Sequence, residues 1–397
     1  MEGIAVSNII KSFLKEIKIN YKVILLFSSF FFLFDSIILQ SVFYILIGSA
    51  ILLESTKLEF RNIVIHDFII WFLLLIWGGI AIGNSFSTYI GFMHYVCIIL
   101  SPFFIFLIFN NLNIKKEYLN LFFDILIISG VILSIISIYV IIVSGFNLKL
   151  RLTSIWSHYN LLAAYLMILF MFCVSFLIHE NKRSKKFFYS VSLFLIILGL
   201  FLTQTRGVWL STIVSFGIFF IKRPKVIVPF ISVLLIILVL FFDVINERVL
   251  TVVNFGKDVS SLGRLQAWMA SWILFMENPI FGHGFDAFRN MMENVFPVYF
   301  VVVTHAHNTY LQILLELGLV GFLLYFSFFI KAFIYSFKYE KNEKSKDLQK
   351  FYDGLQLSFI GLIIAFIFEP YFTFLSAVTY LIWILISVSY LLRFRTL

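Results

Sequence analysis

The sequence predicts an all-α, polytopic membrane bundle of about twelve spans, and three observations carry that prediction. The 397 residues are 61% hydrophobic and only 13% charged, against roughly half and about a quarter in a soluble domain. The apolar residues fall in long runs, and the 52 phenylalanines among them suit lipid-facing helices. Lys and Arg collect between alternate runs, the pattern of a chain threaded back and forth through a bilayer. The whole of 1–397 then reads as one integral membrane domain.

Runs matching the length of a membrane helix, about 17–25 residues, lie near 21–35, 37–53, 65–82, 88–109, 119–144, 160–178, 187–203, 207–221, 226–243, 308–337, 354–369 and 371–392. Ahead of them, Val6, Ile9, Ile10, Phe13, Leu14 and Ile17 recur at helical spacing, with Lys11, Lys15 and Lys18 on other faces. That spacing predicts an amphipathic helix lying on an anionic membrane surface. No run reads as broken and no internal repeat is visible. Cys97 and Cys173 sit singly inside apolar runs, so neither a disulfide nor a metal site is expected of them.

Orientation follows from the basic residues. With the N-terminus inside, 23 of the 30 Lys and Arg fall on the cytoplasmic side and 7 outside. This puts both termini in the cytoplasm of a cytoplasmic-membrane protein. It also accounts for the net charge of +9 through contact with anionic lipid, with no nucleic acid needed. Residues 244–307 become one large extracytoplasmic loop. Cysteines introduced as Ser184→Cys and Asp258→Cys, without Cys97 and Cys173, test this orientation. An impermeant thiol reagent applied to intact cells is expected to label position 258 and spare 184; the reverse pattern would overturn it.

The external arginines oppose the signal that sets the topology, so each asks for a reason. They include Arg151, Arg206, Arg264 and Arg289. Arg206 falls in a short link between two spans, where a guanidinium faces a polar cavity or an anion more readily than lipid; its planar fork fits phosphate oxygens. Arg264 follows Ser261-Leu262-Gly263, and a helix is expected to start there and end before Pro279. Leu265, Trp268, Trp272 and Phe275 would form its apolar stripe in the outer interface, and Arg264 would lie in its first turn beside free N–H groups. Phe281 to Phe285, with two glycines, reads as a tight turn. His305 and His307 stand at the mouth of the run 308–337, where a histidine near neutral pH can take a proton from a hydroxyl. Asn308, Gln312 and Glu316 follow at four-residue spacing, a polar stripe expected to face a cavity. The external acids, Glu369 among them, read as scattered. Two histidines at i, i+2 without a third spaced ligand match a zinc site poorly, so no metal and no cofactor are expected.

Several of these segments together resemble a known family. SLGRLQAWMASWILFMENPIFGHGF followed by THAHNTYLQILLELGLVG is similar to the O-antigen ligase and polymerase superfamily of bacterial envelope glycan enzymes. TQTRGVWLS (Thr203 to Ser211) resembles that family's short Ser-Arg-Gly link. RLTSIWSHYNLLAAYL (Arg151 to Leu166) resembles the segment before its sixth span, where the family's Asn-Pro-Asn is here His158-Tyr159-Asn160 and only Asn160 carries over. The resemblance implies a helical glycosyltransferase fold of the GT-C type. It also implies a metal-independent, inverting transfer of an undecaprenyl-diphosphate-linked glycan to a glycan, lipid or wall acceptor, as a ligase or a polymerase. It gives Arg206 and Arg264 the diphosphate and His307 the role of base. Arg151, Asn160, His305, Asn308, Gln312, Glu316 and Arg289 are then the candidate substrate-binding residues. The competing class is a polytopic transporter, whose expected marks are internal repeats and spans broken near the bilayer centre.

Overall fold

The computed structural model describes residues 32, 37–54, 65–111, 116–145, 147, 150–221, 259–295, 303–338, 348–373 and 376–393. The expected surface helix at 1–20, most of the run 21–35, the run 226–243 and parts of the loop 244–307 lie outside them. Among the described residues there are helices and no strand. In chain order they are α1 (Ile37–Glu54), α2 (Ile65–Asn84), α3 (Thr88–Tyr95), α4 (Ser101–Asn111), α5 (Lys116–Val143), α6 (Tyr159–His179), α7 (Arg183–Leu202) and α8 (Arg206–Phe220). They continue with α9 (Val259–Glu277), α10 (Ala287–Val295), α11 (Thr309–Ser336), α12 (Gln349–Ala365) and α13 (Ala377–Arg393). Six continuous stretches among the described residues are long and apolar enough to cross a bilayer, one of them α3 and α4 joined through a π-helical turn at Val96–Leu100. The protein is an integral membrane protein.

The centre of the bundle is α6, enclosed by α12, α7, α5 and α8. Its sequence, Tyr159 to Phe176, has no polar face to turn outward, and a helix apolar all round can be packed on every side. Close approach to α12 depends on small residues: a side chain at Gly354 would run into the Phe172 ring, the small-residue contact by which helices associate where lipid offers no hydrophobic driving force. The last helix, α13, is likewise buried along its length.

Two expectations about spans need correction. The run 308–337 is not one continuous helix, because Gly318 has φ 65° and ψ −174° in its interior. The cause is the loop before it. The His283 N–H donates to the Leu315 carbonyl at 2.9 Å, the Gly284 N–H to the Glu316 carbonyl at 3.0 Å, and the Leu319 N–H to the Pro279 carbonyl at 2.8 Å. The loop 279–284 therefore straps the break and satisfies the peptide groups it frees, which is the condition for irregular backbone at membrane depth. A Cβ at Gly318 would collide with the Ile280 carbonyl, and one at Gly282 with the Glu316 carbonyl, and both residues have positive φ, so the contact admits only glycine on each side. Second, the last two runs have other bounds than expected. α12 stops at Ala365 and α13 starts at Ala377, leaving an irregular turn that contains Glu369 and Pro370.

Candidate functional site

The site is assembled from helix beginnings. His158 caps α6, accepting from the Asn160 N–H, and so sets Asn160 in the first turn. Thr205 occupies the N-cap position of α8 and its hydroxyl donates to Asn160 Oδ1 at 3.2 Å. Arg206, expected in a link, is the first residue of α8 itself. Arg151 is held by Tyr159, with its guanidinium 4.5 Å above the ring and Nη1 donating to the phenol oxygen at 2.8 Å. Gln204 Nε2 donates to the Leu150 carbonyl at 3.0 Å, which laces the segment before α6 to the segment before α8.

Arg264 differs from its expected position. α9 already runs from Val259, so Arg264 lies in the second turn and the anion-binding N–H groups of a helix start are not beside it. The apolar stripe also divides. Phe275 is buried, Trp268 turns toward the site, and Trp272 is 52% exposed in a face shared with Met269, Ile273 and Met276. That exposed apolar face fits a helix in the membrane interface.

His305, His307 and Glu369 form the centre. Glu369, read from the sequence as one scattered acid among others, is 5% exposed. His305 Nε2 lies 3.1 Å from its Oε2, and His307 Nδ1 lies 3.1 Å from both carboxylate oxygens. Asn160 Nδ2 donates to Oε1, and Arg264 Nη2 stands 3.9 Å from the same atom. Burial alone would push the carboxyl up, but the hydrogen bonds from His305 and His307, and the charge those imidazoles carry when protonated, hold it well below the usual carboxylate range. An ionised carboxylate only accepts. Both histidines must therefore donate to it, which fixes their tautomers. The Thr304 hydroxyl, 3.1 Å away, then donates to His305 Nδ1, so both nitrogens of His305 are engaged. His307 Nδ1 carries its proton toward Glu369 and Nε2 is left as the basic nitrogen. Burial lowers the His307 pKa from 6.5; Glu369 acts in the opposite direction, and His305 and Arg264 lower it further. His307 is thus a neutral base at pH 7. Its backbone sits at φ 47°, a left-handed conformation that surrounding structure must enforce. Here the Trp268 indole N–H donates to its carbonyl at 3.3 Å, and Asn308 caps α11 immediately afterwards. The two side chains are almost equally enclosed, at 20% and 19% exposure, because both turn inward to one carboxylate.

A cleft of about 300 Å³ runs along this centre, lined by Arg151, Asn160, Arg206, Arg264, Trp268 and Glu369 among others. Three guanidinium groups from three separate segments therefore meet at one cavity. A second cavity, of about 380 Å³, is lined by Arg289, His305, Gln312 and Glu316 among others. Asn308 lines neither. Its side-chain oxygen accepts from the Tyr310 and Leu311 N–H groups, so its amide secures the helix start. Gln312 is divided between the Ala306 N–H, accepted at 2.8 Å, and Glu316 Oε1, to which it donates at 2.7 Å.

Glu369 is the residue that sequence reasoning missed. Its one signal was a carboxylate ending an apolar run just before a proline. His305, His307 and Glu369 are also the residues that would hold a metal, since one ligand atom of each lies within 4.8 Å of the others. An ion there would have to displace the hydrogen bonds joining them and share the carboxylate with Asn160 and Arg264.

Residues 191–326, roughly a third of the chain, match the family model described as O-Antigen ligase. No curated protein matches the chain. The matched segment contains Arg206, Arg264, His305 and His307, while Arg151, Asn160 and Glu369 lie outside it. The match agrees with the motifs read from the sequence and supports the O-antigen ligase/polymerase superfamily as the family of this chain.

Proposed function

We propose that the protein transfers a glycan from undecaprenyl diphosphate to an acceptor hydroxyl at the outer face of the cytoplasmic membrane, as a ligase or a polymerase of surface polysaccharide. The observation that carries this reading is the meeting of Arg151, Arg206 and Arg264 in one cleft whose wall is the carboxylate that orients His307. In the step proposed, His307 Nε2 takes the proton of the acceptor hydroxyl as its oxygen bonds to the anomeric carbon. The bond from that carbon to the diphosphate oxygen breaks, and its electron pair leaves with the diphosphate. The arginines neutralise the charge developing there. Glu369 holds the Nδ1–H and offsets the imidazolium charge that forms, the role an acid plays behind a catalytic histidine. Acceptor and leaving group lie on opposite faces of the anomeric carbon, so the configuration inverts. No metal takes part in this sequence of events.

The test is reconstitution of the full chain in lipid nanodiscs with a chemically defined polyprenyl-diphosphate-linked oligosaccharide, supplied both as donor and as acceptor. The expected result is a longer glycan and released polyprenyl diphosphate, unchanged by excess EDTA. Loss of transfer on chelation, restored by a divalent ion, would overturn the metal-independent step. Movement of the intact lipid-linked glycan across the bilayer, with no new glycosidic bond, would favour the transporter reading, for which the break at Gly318 is the one structural mark among the described residues.

A further inference from the structure

The cluster of His305, His307 and Glu369 has the geometry of a metal site as well as that of an oriented base. His305 Nε2 and His307 Nδ1 each lie 3.1 Å from Glu369 Oε2, and one ligand atom of each residue lies within 4.8 Å of the others. Zinc takes imidazole nitrogen and carboxylate oxygen at about 2.0–2.2 Å in a tetrahedron, which sets neighbouring ligand atoms roughly 3.4 Å apart. Both N···O separations are already close to that value, and rotation of the imidazoles brings their nitrogens together. Space and access are present too. A small cavity of about 20 Å³ is lined by His305 and Glu369, and a water-sized body needs only about 10–15 Å³. His305 also lines the cavity of about 380 Å³, which gives an ion a path in.

The surrounding hydrogen bonds can accommodate the exchange. Each neutral ring now directs its one proton at the carboxylate, from His305 Nε2 and from His307 Nδ1. To bind a metal, each must offer that nitrogen's lone pair, so its proton moves to the other ring nitrogen and none is released. The Thr304 hydroxyl, 3.1 Å from His305 Nδ1, both donates and accepts; it donates before the exchange and accepts from Nδ1–H after it. Asn160 Nδ2 holds Oε1, which leaves Oε2, the oxygen shared by both histidines, for the ion. Arg264 Nη2, 3.9 Å from Oε1, repels an incoming cation, so the cluster suits a reversible ion better than a resident one.

We infer that His305, His307 and Glu369 form an inhibitory site for zinc and similar imidazole-seeking divalent ions, and that the bound ion disables the base by taking His307 Nδ1 and leaving the proton on Nε2. The inhibition rests on the transfer reading above. The metal site itself rests on the cluster alone. Two imidazoles and one carboxylate suit zinc and its transition-metal neighbours, whereas Mg²⁺ and Ca²⁺ favour shells of oxygen.

The experiment titrates the full chain in nanodiscs with Co²⁺, whose visible absorption reports tetrahedral coordination without turnover, and then displaces it with Zn²⁺. His305→Ala, His305→Gln and Glu369→Gln are each expected to weaken Zn²⁺ at least about tenfold, since a lost ligand costs no less than a lost outer partner. His305→Gln keeps an N–H donor for Glu369, so weakened binding there reports the missing ligand and not a disturbed fold. Mg²⁺ in excess is expected to displace no Co²⁺. In the transfer assay, Zn²⁺ is expected to inhibit the unaltered protein over the range in which it binds. The transfer that remains in His305→Gln should need at least about tenfold more Zn²⁺ for the same inhibition, in step with the lost ligand. Equal Zn²⁺ affinity in the unaltered protein and all three variants would overturn the site, and displacement by Mg²⁺ would overturn its selectivity. Cluster-dependent binding with undiminished transfer at saturating Zn²⁺ would overturn the inhibition. Cluster-dependent binding in a protein that transfers nothing even without Zn²⁺ would remove the transfer reading and leave the metal site standing.

Discussion

His307→Ala is expected to lose about 10²–10⁴ in transfer rate, the usual contribution of a positioned acid or base, while still binding the polyprenyl-diphosphate donor. The arginines proposed to hold the diphosphate line the cleft independently of the imidazole, so binding and chemistry separate. His305→Ala is expected to lose much less, because both nitrogens of His305 are engaged, by Glu369 and Thr304, and neither is left to take a proton. Single-turnover transfer and donor binding in purified variants measure both. Normal turnover by His307→Ala, or failure caused only by lost donor, would exclude it as the base. The pH profile carries a further sign. Burial has moved the His307 pKa below 6.5, so the acid limb of kcat/KM is expected below 6.5. Glu369 raises that pKa through its hydrogen bond and charge. Glu369→Gln should therefore slow transfer and shift the acid limb to still lower pH. A slowed variant with an unshifted limb would make Glu369 a purely structural residue.

Arg206→Ala and Arg264→Ala should each remove about 10²–10³ in rate, the loss typical of one preorganised group stabilising a developing anion, about 3–4 kcal/mol. Lys at either position should restore only part, because a point charge lacks the bidentate fork. Arg264 lies 3.9 Å from Glu369 and lowers the His307 pKa, so Arg264→Ala should also move the acid limb upward. Full activity in both Ala variants at normal protein level would remove the arginines from the mechanism.

Much of the site was legible because each residue broke a rule of its surroundings. Arg151, Arg206 and Arg264 stood against the charge asymmetry that orients the chain, and His305 and His307 opened an apolar run. Such local contradictions need no fold to be noticed. Glu369 closed an apolar run but carried no companion in sequence, being 62 residues from His307 and 209 from Asn160. A hub whose partners are all remote leaves almost no local trace. The break at Gly318 was illegible for a related reason: glycine is ordinary in membrane helices, and only the strap from residues 279–284 reveals why this one is not helical.

The sequence by itself determined that this is a helical membrane protein, the approximate positions of the spans among the described residues and the residue types available for chemistry. Those follow from hydropathy, charge and spacing along the chain, which are one-dimensional quantities. Tertiary structure alone decided which of those residues meet. It joined the starts of α6, α8 and α11 to the turn before α13 through Asn160, Thr205 and Glu369. It fixed the histidine tautomers, since only the placement of an acceptor-only carboxylate between the two rings makes both donate to it. It also divided the polar residues between a cleft lined by three arginines and a second cavity, because which face of a helix borders which space depends on packing between helices and on no property of the helix alone.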